Sequence, residues 1–154
     1  MSALGKILER EIDLISRFLV SLEEEQVALK TATPESLPKI HEEKSLLVDE
    51  LNALEIERIK QVGGDSQLTD RERMNVWIKA HPTDTQIETH WKKLIELAST
   101  AKQQSELNAS LVKLHLEKTT QALAILTRHN QENTLYGSNG QAATFTGSRI
   151  VDSA

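Results

Sequence analysis

The chain has no cysteine at all, which removes disulfides, thiolate metal sites and a thiol nucleophile together. Aromatic residues make up only 3% of its 154 positions, and glycine and proline number six and three. Sheets draw on β-branched and aromatic side chains, so this scarcity favours helix packed on helix. No dense Lys/Arg cluster occurs, and the net charge is −5. A nucleic-acid partner, which needs a basic stripe to neutralise phosphates, is therefore excluded. No apolar run approaches the roughly 20 residues of a bilayer span, so no membrane insertion is expected. The apolar residues near the N-terminus are broken by Lys6, Glu9, Arg10, Glu11 and Asp13, a pattern that no signal peptide has. A cytoplasmic location follows as an expectation. What remains is 38% hydrophobic and 27% charged, the balance of one soluble globular domain with a modest core.

Apolar spacing predicts four helices. Leu8, Ile12, Ile15, Leu19, Leu22 and Leu29 recur at steps of three and four, interrupted at Gln26, and mark a helix over about residues 3–30. Thr31 to Thr33 break it. Pro34 suits the first turn of a second helix with Thr33 as its N-cap. Leu37, Ile40, Leu47, Leu51 and Leu54, with Lys44 inside the series, carry that helix to Gly63-Gly64. Two helices of similar length joined by a short link form an antiparallel hairpin. Thr69-Asp70-Arg71-Glu72 has the capping-box arrangement and predicts a short third helix ending near His81-Pro82. A very long fourth helix then runs to about Asn133, roughly 75 Å at 1.5 Å per residue, and is expected to outrun the hairpin. The fold class is thus all-α: an elongated antiparallel helical bundle over residues 1–133, followed by a flexible C-terminal tail over 134–154.

Ile87, Trp91, Leu94 and Ala98 share one face of the fourth helix with Val112, Leu116 and Leu123, a stripe able to meet the bundle over most of its length. Leu107, Leu111, Leu114 and Ile125 form a second apolar face roughly 140 to 160° away. Core is the commoner fate of a leucine stripe, so pattern alone favours cover by the first or second helix over a binding surface.

Catalytic and metal constellations are sparse. His41-x-x-Lys44 is the arrangement in which phosphotransfer bundles present an imidazole and a cation, but Ser45 stands where those have glycine, and Glu42 and Glu43 would repel a phosphoryl group. His81, His90, His115 and His129 show no i, i+4 pairing for a metal. His115 and Asn108 read as polar positions that set register within a bundle. Glu23-Glu24-Glu25 reads as the solvated side of the first helix, and Trp77 and Trp91 as core anchors. No glycine loop, serine elbow or carboxylate pair marks an enzyme, and no cofactor is expected.

The tail carries three of the six glycines, the only tyrosine and one of the two phenylalanines. Sparse apolar side chains in a polar strip can be buried only on another surface, which is how a docking peptide is built. Its Leu-Tyr-Gly-x-x-Gly-Gln at 135–141 and Gly-Ser-Arg-Ile-x-Asp at 147–152 resemble the close of FlgN-type flagellar export chaperones. The helix-two series from Leu37-Pro38 to Leu54 and the Leu107-Asn108 region are similar to the same family. The resemblance implies a cytoplasmic binding protein, monomer or weak homodimer. Its clients would be the C-terminal helical segments of the hook-filament junction proteins FlgK and FlgL, which it would deliver to the export gate protein FlhA. It further implies a gate-docking tyrosine at Tyr136, between Leu135 and Gly137, and leaves the late face of Leu107, Leu111, Leu114 and Ile125 as a client groove. A phosphotransfer protein using His41 and a self-associating coiled coil are the alternatives from other classes.

Overall fold

Ser2 opens the first helix, α1 (Ala3–Lys30), by accepting the Gly5 N–H at 3.1 Å on its hydroxyl. The computed structural model describes residues 2–31 and 33–135, with side-chain surroundings through residue 130. After α1 the chain makes a single 3₁₀ turn, Pro34–Ser36, and enters α2 (Leu37–Val62). The expected start of α2 at Pro34, capped by Thr33, is therefore corrected: the Thr33 side chain makes no capping bond. Pro38 explains the difference. It has no N–H to give the Pro34 carbonyl in an α-helical bond, so that carbonyl takes the Leu37 N–H instead, in the tighter i to i+3 pattern.

Helix α2 stops where expected. Gly63 and Gly64 adopt φ of 65° and 92°, a region that costs glycine little and other residues more. The short α3 (Asp70–Ala80) begins with both arms of its capping box formed: Glu72 N–H to Thr69 Oγ1 at 3.2 Å, and Thr69 N–H to Glu72 Oε2 at 2.8 Å. Helix α4 (Thr85–Leu135) is continuous for 51 residues, passing Ser105 and Asn108 without a break. Among the described residues there is no strand, so the all-α reading holds.

The chain divides into two compact units, Met1–Leu111 and Val112–Ala154. In the first, Leu8 and Leu22 of α1, Met74 of α3, and Ile87, Trp91 and Leu94 of α4 close one continuous core. Leu8, Leu14 and Leu22 have no exposed area, and burial of each is worth about 1.5–3 kcal/mol. Ile40 and Leu47 bury the inner side of α2. Helix α1 is thus apolar on a wide arc and stands at the centre of the unit. In the second unit, the described side chains lie on the distal part of α4, and Val112, Leu116 and Leu123 are exposed.

Candidate functional site

On α4, Leu107, Leu114 and Ile125 are 44%, 45% and 65% exposed, and Leu111 is half-buried. Leu107 and Leu111 belong to the first unit, and Leu114 and Ile125 to the second. An amphipathic sequence records that a face is apolar but not what stands against it. Exposed large aliphatic side chains at helical spacing are the kind of surface on which a partner helix lays its own apolar stripe. Leu135 closes α4, and its side chain, with Tyr136, Gly137 and the remaining tail, lies outside the described residues.

Beside this face, Asn108 is buried and reaches across to α1. Its Nδ2 donates to the Leu22 carbonyl at 2.9 Å and to Glu25 Oε1 at 2.8 Å, so it ties α4 to α1 as a register-setting polar residue should. Glu25 is therefore not part of a solvated acidic run. Glu23 and Glu24 are exposed, while Glu25 turns inward and also binds Lys44 Nζ at 3.1 and 3.0 Å and His41 Nε2 at 2.9 Å. Burial works against its charge, but the hydrogen bonds from Lys44, Asn108 and His41 outweigh it and hold its carboxyl below the usual carboxylate range.

The same geometry joins His41 and Lys44 to α1. Both are engaged by one carboxylate of α1, so the pair that resembles a phosphotransfer motif acts as a clasp between α1 and α2. A depressed carboxyl contributes stability that is present above its unfolded pKa, about 4.3, and is lost as pH falls through its lower folded value. Glu25→Gln should accordingly cost about 1–3 kcal/mol at neutral pH and progressively less in acid. Urea unfolding of both proteins over a pH series would show this; a difference that does not shrink with acidification would contradict the assignment.

A second polar cluster, unforeseen in the sequence, sits farther along the hairpin. Arg58 is buried; its Nε donates to Glu11 at 3.1 and 2.9 Å, and one terminal nitrogen donates to both oxygens of Asp70 at 2.6 Å. Its guanidinium carbon lies 4.9 Å from the centre of the Trp91 ring. One side chain of α2 thereby meets α1, α3 and α4. Burial pushes the Glu11 carboxyl up despite Arg58; it would lower the guanidinium too, but hydrogen bonds to Asp70 and Glu11 raise it. A signal for this cluster existed. The α2 series continues by one more step of four from Leu54 to Arg58, and Glu11 and Glu25 stand at three-and-four steps from Leu8, Ile15, Leu22 and Leu29. The polar interruption of α1 falls on those two glutamates and not on Gln26.

Among the described residues no three His, Asp or Glu side chains converge as a metal site would require, and no helix is long and apolar enough to cross a membrane. His81 stacks on Trp77 with ring centroids 4.0 Å apart and bonds the Trp77 carbonyl, a contact that closes α3.

Comparison with known proteins adds an independent line. The chain is 26% identical over 145 residues to the flagella synthesis protein FlgN of Salmonella typhimurium, an alignment covering 93% of this chain and 92% of that protein. The counterpart from Salmonella typhi matches to the same extent. No solved structure matches. A family model described as FlgN protein matches residues 1–144, the four helices and the start of the tail alike. With that match running nearly end to end on an all-α chain, the chain belongs to the FlgN family.

Proposed function

We propose that this chain serves flagellum assembly as an export chaperone. It binds the C-terminal helical segments of FlgK and FlgL, keeps them from assembling early, and passes them to the export gate protein FlhA. Membership of a family whose relatives bear the name flagella synthesis protein supports the assembly role. The client side is supported by the exposure of large aliphatic side chains along α4, Leu107 in the first unit and Leu114 and Ile125 in the second, which together with Leu111 offer a client helix an apolar stripe. No covalent chemistry is involved; apolar burial and release do the work.

The gate side rests on the resemblance of Leu135-Tyr136-Gly137 to the family's tyrosine motif. A lone ring in a polar strip is suited to act as an interface anchor. Tyr136→Ala should weaken FlhA binding by more than about 1 kcal/mol while FlgK and FlgL affinities stay near wild type. Titration calorimetry with each purified partner separates the two surfaces; unchanged FlhA affinity would remove Tyr136 from the docking site. A pull-down from the source cell with and without residues 134–154 tests the whole reading, since failure to recover FlgK or FlgL with the full chain would sink it.

A further inference from the structure

The outer side of the α1–α2 hairpin carries a second surface made of other residues. Two recesses, of about 690 and about 410 Å³, share Val20, Glu24 and Glu43 and so form one groove along the hairpin. It follows residues 17–28 of α1 and 39–50 of α2, a length of about 16 Å, or three helical turns. Its apolar lining includes Val20, Val27 and Leu46, which are 54%, 59% and 60% exposed. Isolated exposed valines are ordinary on a protein surface, but these line one concave track.

The rim is acidic. Glu23, Glu24, Glu35, Glu43 and Glu50 face it against Arg17 and Lys39. Glu50 is held by Arg10 at 3.1 Å, whereas Glu23, Glu24, Glu35 and Glu43 have no ion pair among the described residues. An apolar track of three turns bordered by unpaired carboxylates complements one kind of ligand, a short amphipathic helix with Lys or Arg flanking its apolar stripe. We infer that the α1–α2 groove docks such a basic amphipathic helix of a second protein partner. The inference does not depend on the α4 face or on the identity of the clients.

Two synthetic helical peptides of about four turns, with the same leucine stripe but flanked by Lys or by Glu, provide the probe. Fluorescence anisotropy with the full chain should give the Lys peptide at least about tenfold tighter binding than the Glu peptide, falling with added salt. Glu24→Lys with Glu43→Lys should erase or invert that preference. Glu9→Lys with Glu57→Lys, the same charge change on exposed positions outside the groove, should preserve it. Equal binding of the two peptides, or equal damage from the control reversal, would overturn the inference. Leu111→Asp with Leu114→Asp should leave peptide binding intact, so this surface and the proposed client face fail separately. A photo-reactive side chain at Val27 should join, in cells, a Lys/Arg-flanked helical segment of another protein; attachment to residues 136–154 or to a second copy of this chain would refute the assignment.

Discussion

Arg58→Ala is expected to lower the unfolding free energy by about 3–5 kcal/mol, the range for breaking a buried ion pair by removing one partner. Glu11 is 3% exposed and would keep its carboxyl with no cation to meet it, while Asp70 would lose its bond at the first turn of α3. The loss should appear as a lower midpoint in urea unfolding followed by circular dichroism. A companion variant makes the cause visible. Glu11→Leu combined with Arg58→Met removes the stranded charge as well as its partner, and should recover much of the loss, because apolar replacements of buried pairs are often neutral or better. If the double variant is no better than Arg58→Ala, packing on Trp91 and not charge is what Arg58 supplies.

The other large effect concerns the α4 face. Leu111→Asp with Leu114→Asp should reduce binding of FlgK and FlgL C-terminal segments by at least about a hundredfold, since charges in the centre of an apolar contact combine lost burial with an unpaired, desolvated carboxylate. Helix content should hardly change, because Leu114 is 45% exposed and Leu111 only half-buried. Circular dichroism alongside titration calorimetry decides the matter: lost helix would make this face part of the fold, and retained helix with retained binding would place the client elsewhere. Light scattering over a concentration series adds the remaining outcome, since a face that pairs with itself would give wild-type dimers that the variant lacks.

Much of the fold was legible in local signals that each have one physical meaning. Thr69-x-x-Glu72 could hardly be anything but a helix start, and Gly63-Gly64 a helix end, because backbone N–H groups and positive φ angles have few other solutions. The start of α2 departs from the expected Pro34 because two prolines compete there, and Pro38 rather than Pro34 decides where the α-helical bonds begin. The polar clusters were harder. A reading that follows apolar periodicity skips charged residues at seam positions: Glu25 reads as part of a solvated run and Arg58 draws no reading, although Glu11, Glu25 and Arg58 are all buried. The late residues of α4 are legible as apolar, but the exposure of Leu107, Leu114 and Ile125 is not, because exposure depends on neighbours and not on spacing.

Those buried charges also have a consequence for how the first two helices find each other. Glu11 and Glu25 are fourteen residues apart on α1, and their cations Lys44 and Arg58 are fourteen apart on α2. Leucine seams with a seven-residue repeat fit almost as well when slid by one repeat. The charges do not. Sliding α2 by seven residues one way sets Leu51 against Glu11 and Leu37 against Glu25; sliding it the other way sets Leu51 against Glu25 and carries Glu11 past Val62, the last residue of α2. The first misalignment strands both carboxylates in an apolar seam and the second strands Glu25 there while leaving Glu11 without its arginine, at a cost of several kcal/mol for each stranded charge. The two ion pairs work as a vernier: the leucines allow several alignments of the hairpin, and only one of them lets both carboxylates reach a cation.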